Sequence, residues 1–293
     1  MNSQLSSTTP ALAERLTLES AGAGLWRSRH GDANQNGRSY GGQLLGQAMW
    51  AALAEVSPDR LPTMMQFLFL QGAIPDQPIT FEVGRLQEGK RFTSLHVRGT
   101  QGARSVLDAQ VTCALALSGP VHEEPSQAPS GERPMDLPGL EEVPAGLLER
   151  IGLMGGYGRD RNPAIAFRIP DAQQQLSAET SSKKFRYWMK VPPPLPDDPR
   201  MHAAAFAYLS DWWLNFCIFS PDLPHAGERE MYISSLNHSL WLHAVPRADR
   251  WVHVLATAAH AANGRGLAIA QYHDEEGRHL ATATQDSLVT YLD

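Results

Sequence analysis

Cysteine is nearly missing from this chain: two thiols, Cys113 and Cys217, stand in 293 residues. Two cysteines cannot build a disulfide framework, and alone they cannot hold a structural zinc. Nothing here requires an oxidising compartment. Excess positive charge is missing too. Lysine and arginine number 25 against 31 aspartates and glutamates, a formal net charge of −6. The broad basic footprint of a nucleic-acid binder is therefore absent, and no nucleic-acid partner is expected. The first twenty residues (MNSQLSSTTPALAERLTLES) lack the basic start and apolar core of a secretory signal. The final Tyr291, Leu292 and Asp293 form neither a peroxisomal address nor a prenylation box. Only one hydrophobic run is long enough to span a bilayer, residues 201–220 (MHAAAFAYLSDWWLNFCIFS), and Asp211 sits at its centre. A carboxylate at mid-membrane is expensive. The run reads as a buried helix of a soluble, cytoplasmic protein with no membrane partner.

Several catalytic signatures are missing as well. There is no G-x-S-x-G elbow, no H-E-x-x-H and no P-loop. Gly22-Ala23-Gly24 lacks the preceding strand that a dinucleotide fingerprint needs. Arg159 and Arg161 read as a solvated loop pair. No metal and no cofactor are expected.

What is present is periodic. Thr9-Pro10 predicts a capped helix reaching about Ser20, and the polar, Gly-rich stretch 21–40 predicts a loop. From Gly41 to Val56, Leu44, Leu45, Ala48, Ala51 and Ala52 recur at helical spacing, and Pro58 stops the helix. Strand patterns follow at Met64–Leu70, Ile79–Val83, around Leu95 and Val97, and at Val106–Leu117, with turns at Glu88-Gly89 and Gln101-Gly102. The segment from Ser118 to about Pro144 is rich in proline and acid and reads as a linker. VPPPLPDDPR at 191–200 is a second stiff connector. The second half then repeats the order. Strands are predicted at 164–169 and 185–191, a helix at 202–219, and strands at 231–243, 251–259, 266–273 and 279–291. Leu68-Phe69-Leu70 matches Leu240-Trp241-Leu242 at an offset of 172, and Gln110 matches Gln285 at 175. Two copies of a helix wrapped by an antiparallel sheet follow, an α+β fold. The boundaries are 12–118 for the first repeat, 119–159 for the linker and 160–293 for the second repeat.

Asp211 is the sharpest chemical feature, the single formal charge in its apolar run. A buried carboxylate must be paired, hydrogen-bonded or neutral, and burial lifts its pKa toward the range of a general base. The competing reading is an Asp that faces solvent or caps a loop. Ser234, Ser235, Asn237 and His238 interrupt one late strand, and Gln285 and Asp286 another. Alternation explains each of these singly as a solvent-facing position. His238 and His243 are five apart in a strand, so they face opposite sides and do not share a metal.

GGQLLGQAMWAA, YLSDWW, ISSLNHSLWLH, GRGLAIAQYHDEEG and LATATQ, in this order, resemble the type II acyl-CoA thioesterases across roughly residues 12–118 and 160–293. The resemblance implies a double hot-dog fold, a homodimer, and hydrolysis of acyl-CoA within lipid metabolism. It also implies an Asp, a hydroxyl and a Gln that hold and activate a water. These fall on Asp211, Ser235 and Gln285, with Ser where Thr is usual. Backbone N–H groups near Gly42 are then oxyanion donors, and Trp212 and Arg265 join Gly42 as substrate-binding residues. The family's H-x-Y-F-L-R-P-G strand has become Gln66-Phe67-Leu68-Phe69-Leu70-Gln71-Gly72-Ala73, and the acid before His-Ser is Asn237. Trp212, Trp213, Phe216 and Phe219, if they line the acyl tunnel, favour short, branched or aromatic acyl groups. Two other classes stand beside hydrolysis. One is a non-hydrolytic binder of acyl-CoA or acyl carrier. The other is a hydratase or dehydratase, which needs an Asp/His pair that His202, nine residues from Asp211, does not supply.

Overall fold

Alternating apolar residues build one antiparallel sheet. The computed structural model describes residues 11–34, 37–123, 125–126, 131–153, 164–177, 182–225 and 228–292. The first half contributes α1 (Leu12–Leu16), β1 (Glu19–Gly22), β2 (Leu25–Arg27), α2 (Gly41–Ala54), β3 (Leu61–Phe69), β4 (Thr80–Glu88), β5 (Phe92–Gln101) and β6 (Arg104–Ala114). After α3 (Ala145–Leu153), the second half adds β7 (Ala166–Arg168), α4 (Ala172–Leu176), β8 (Lys184–Lys190), α5 (Pro199–Ser210) and α6 (Phe216–Phe219). It ends with β9 (Met231–Leu242), β10 (Val252–Ala262), β11 (Arg265–His273) and β12 (His279–Tyr291). The twelve described strands run in the order β1-β2-β4-β5-β6-β3-β9-β12-β11-β10-β8-β7. β3 and β9 join the halves, pairing Met64 with Trp241 and Phe67 with His238. α2 and α5 lie together on the inner face. This is the double hot-dog arrangement.

Four expectations need correction. The first helix ends at Leu16 rather than Ser20, and Thr9 and Pro10 lie outside the described residues, as do Arg159 and Arg161. The expected loop at 21–40 contains most of a hairpin, in which Glu19 pairs with Arg27. The long helix 202–219 is broken: α5 stops at Ser210, and α6 starts only at Phe216. Between them Trp213 adopts φ of +56°, a left-handed conformation that no right-handed helix can include. The repeat register also moves. Gln66 and Gln110 face outward and exposed, whereas Gln285 is fully buried. The inward residues of β3 and β6 are Met65, Phe67, Ala109, Val111 and Cys113, all apolar. Of the central strands β3, β6, β9 and β12, it is β9 and β12 that carry inward polar residues, His238, Gln285 and Ser287.

The segment expected as a bare linker has anchors. The Glu132 carboxylate accepts from Arg186 Nη1 at 2.8 Å and from Trp188 Nε1 at 2.8 Å, on the outer face of β8. Glu123 accepts from the His279 backbone N–H at 2.9 Å.

Close packing of α2 on α5 sets the site. A Cβ on Gly42 would lie 2.2 Å from the Tyr208 carbonyl oxygen, and one on Gly46 would lie 2.9 Å from that of Ala204. Glycine at these positions lets the helix backbones approach.

Candidate active site

Asp211 is the C-cap residue of α5, where the helix ends and the chain turns sharply. It is 8% exposed. The start of α2 abuts it, so that a Cβ on Gly41 would lie 2.6 Å from Asp211 Oδ2. Burial raises the Asp211 carboxyl to about 6, held back by hydrogen bonds from the Gln285 amide and the Gly42 N–H. Gly42 stands in the first turn of a 14-residue helix, whose positive end favours the ionised carboxylate. Asp211 Oδ1 is buried and has no hydrogen-bond partner in the protein. An acceptor in that state is suited to receive a proton.

A bulge supplies the next residues. Asp286 pairs with Asn237, but Ser287 pairs with Ser235, leaving Leu236 as the extra residue of β9. The bulge changes the parity of the strand. Ser235 therefore shares the inward face with His238, although an odd spacing would separate them in a regular strand. On β12, Gln285 and Ser287 are both inward and fully buried.

Hydrogen bonds tie these groups together. Gln285 Nε2 donates to Ser235 Oγ at 2.9 Å and to Asn215 Oδ1 at 2.6 Å. Ser287 Oγ donates to Asn215 Oδ1 at 2.8 Å. His238 Nδ1 lies 2.6 Å from Gln285 Oε1, and His238 Nε2 lies 3.0 Å from Ser210 Oγ. Tyr272 donates its hydroxyl to the Ser210 carbonyl at 2.9 Å, which fixes the end of α5 over the sheet. Among the described residues no group of three or more His, Cys, Asp or Glu side chains is arranged to hold a metal.

A buried carboxylate with a raised pKa, beside an amide and a hydroxyl, is chemically suited to take a proton from a water. A family model described as the acyl-CoA thioesterase N-terminal domain matches residues 29–114, and one for the acyl-CoA thioesterase C-terminal domain matches residues 125–289. The chain belongs to the type II acyl-CoA thioesterase family. Mouse acyl-coenzyme A thioesterase 8 is 26% identical over 283 residues, covering 94% of this chain and 87% of that protein. Acyl-CoA thioesterase 2 of Haemophilus influenzae is 26% identical over 260 residues, covering 86% and 87%. An acyl-CoA thioesterase II structure from Mycobacterium marinum aligns with a TM-score of 0.75 at 24% identity, covering 96% of this chain and 97% of that one. A hot-dog-fold protein from Alicyclobacillus acidocaldarius gives 0.76 at 18% identity, covering 98% and 100%. These structures share the fold.

In this thioesterase, Asp211, Ser235 and Gln285 lie in one cluster. Asn215, Ser287 and Ser210 belong to the same hydrogen-bonded set and were not singled out from the sequence; His238, noted there as a polar interruption of its strand, belongs to it too. Two had a signal: Asn215 is four residues after Asp211 in the helical pattern, and Ser287 is two after Gln285 in a strand. The Gly42 N–H, expected to face an oxyanion, is engaged by the Asp211 carboxylate. Arg265 does not join the cluster. Its side chain is 65% exposed and lies 3.5 Å from Asp286, on the outward face.

The aromatic residues after Asp211 divide. Trp213 stacks on Phe216 at 5.5 Å and on Phe185 at 5.7 Å, and Phe216 meets Phe219 at 5.1 Å. All are buried, so Trp213, Phe216 and Phe219 are core rather than the wall of an open tunnel. Trp212 is half-buried, edge-on to Tyr40 at 5.9 Å, and its indole Nε1 has no partner. Among the described residues no helix is long and apolar enough to cross a membrane.

Proposed function

We propose that this thioesterase hydrolyses acyl-CoA to free acid and CoA, with Asp211 as the general base of a water held by Ser235 and Gln285. One observation carries the reading: a buried carboxylate with an unpartnered oxygen sits against the Gln285 amide, which also donates to Ser235. Ser235 Oγ accepts from Gln285, and this leaves its own proton free to orient a water. The water oxygen bonds to the thioester carbonyl carbon as Asp211 takes its proton. The carbonyl becomes an oxyanion. Its collapse breaks the C–S bond, and the proton returns to the leaving thiolate. As Asp211 protonates, its hold on the Gly42 N–H weakens. That releases a donor at a helix N-terminus for the oxyanion.

The test is thiol release from a panel of acyl-CoAs, from acetyl to palmitoyl plus benzoyl and phenylacetyl. The half-buried Trp212 beside the base supports short, branched or aromatic acyl groups. These should turn over faster than palmitoyl-CoA, and the reverse order would reject the short pocket. Release of no thiol by folded protein would favour a binding module. kcat/KM should rise with pH through an ionisation near 6, because the ionised Asp211 is the active form. An activity falling across that range would remove Asp211 as the base.

A hydratase is supported less well. His202 lies at the far end of α5, 3.8 Å from Asp249 rather than beside Asp211. The dehydratase domain of RzxB from Pseudomonas fluorescens aligns with a TM-score of only 0.55 at 13% identity. The same reading makes the protein a cytoplasmic homodimer. The buried, unbridged Cys113 and Cys217 suit a reducing compartment, and hot-dog sheets offer faces for pairing.

A further inference from the structure

The Gln285 side chain could be turned end for end without changing its shape, since an amide's oxygen and nitrogen are nearly isosteric. Only its neighbours decide which end faces the base. We propose that His238 is a positioning residue for Gln285: an Nδ1–H donated to Oε1 turns the amide N–H groups toward Ser235 and Asn215, beside Asp211. This rests on the hydrolytic reading given above.

Gln285 Nε2 lies 2.6 Å from Asn215 Oδ1 and 2.9 Å from Ser235 Oγ, so its two N–H groups are directed to these acceptors on the side of Asp211. Oε1 then points to the other side, where His238 Nδ1 stands at 2.6 Å. Burial pushes His238 down to about 4, so the ring is neutral at working pH and carries a single proton. In the proposed arrangement that proton is on Nδ1. Nε2 is then an acceptor, and the Ser210 hydroxyl at 3.0 Å donates to it. The opposite polarity is also sterically possible. Ser210 Oγ lies 2.9 Å from the Ala207 carbonyl, and donation there would leave it accepting from an Nε2–H of His238. Gln285 would then aim its carbonyl oxygen at Asp211. The tautomer of one fully buried histidine therefore reports whether the base is supported or opposed.

Two experiments test this. Long-range nitrogen–proton NMR of the imidazole in the substrate-free enzyme at pH 8 should show the proton on Nδ1 of His238; a proton on Nε2 would overturn the proposal. This experiment needs no turnover. Failure of the hydrolytic reading, seen as no thiol release, is thus distinguished from failure of the positioning role. The second experiment compares two variants. In His238→Asn the amide nitrogen takes the place of Nδ1, so turnover should stay within about tenfold of wild type; His238→Gln, whose nitrogen takes the place of Nε2, should lose about 10²-fold in kcat with little change in KM. A space-filling role predicts the reverse, because Gln is nearer His in size. The acid limb of kcat/KM should also move upward in His238→Gln alone, since Gln285 no longer restrains the Asp211 carboxyl. Equal or better turnover by His238→Gln, with an unmoved limb, would overturn the assignment.

Discussion

Asp211→Asn should lose about 10²–10⁴-fold in turnover, the usual contribution of a general base. It should also become more stable at pH 8. Asn keeps the shape of the side chain and an oxygen for the Gly42 N–H, so the fold has no reason to fail. The stability sign follows from burial. The carboxyl is raised in the folded state to about 6 from its ordinary 3.8. Between those values the folded protein binds more protons than the unfolded chain. Stability contributed by the protonated form is therefore complete at low pH and is lost as pH rises through about 6. That gap corresponds to about 3 kcal/mol, charged against the wild type above pH 7 and absent in the Asn variant. Thermal melts at pH 4.5 and pH 8 check this: the variant's gain in melting temperature over wild type should be larger at pH 8 than at pH 4.5. An Asn variant less stable than wild type at pH 8 would mean that the ionised carboxylate is well compensated, and the buried-base account would lose its physical basis.

Gly42→Ala should damage both stability and turnover. Alanine in an open helix is favoured over glycine by about 1 kcal/mol. Here the added Cβ would lie 2.2 Å from the Tyr208 carbonyl oxygen and 2.4 Å from Cε1 of Tyr40. The first obstacle is backbone, and it cannot swing aside. α2 and α5 must separate, and α5 carries Asp211 three residues beyond Tyr208. A displacement of about 1 Å at a reacting group costs on the order of 10²-fold in rate. The variant should therefore melt below wild type and lose about two orders of magnitude in kcat. A more stable variant with full activity would show that the helices tolerate a wider crossing and that the glycine contact does not position the base.

The fold was legible because period decides it. Leu44, Leu45 and Ala48 recur at helical spacing in α2, which is buried on nearly all sides, and the late strands begin and end within a few residues of their predicted limits. The polar cluster was legible only in part. Asp211 stood out because a charge in an apolar run is costly. Ser235 and His238 could not be placed on one face from alternation, since the bulge at Leu236 depends on how β9 meets β12. The break after Ser210 was hidden too. Trp213 is an ordinary apolar residue in sequence, and nothing in the local pattern marks its left-handed backbone or its stacking on Phe185 and Phe216. The Gln110 match failed because one residue of register exchanges inside for outside.

Oxygen tracing tests the central claim most directly. A single turnover of acyl-CoA with excess enzyme in H₂¹⁸O should place the label in the released acid and none in Asp211, because water attacks the thioester itself. Unlabelled acid in that first turnover, with ¹⁸O recovered in the Asp211 carboxylate, would make Asp211 a covalent nucleophile and contradict its role as the base.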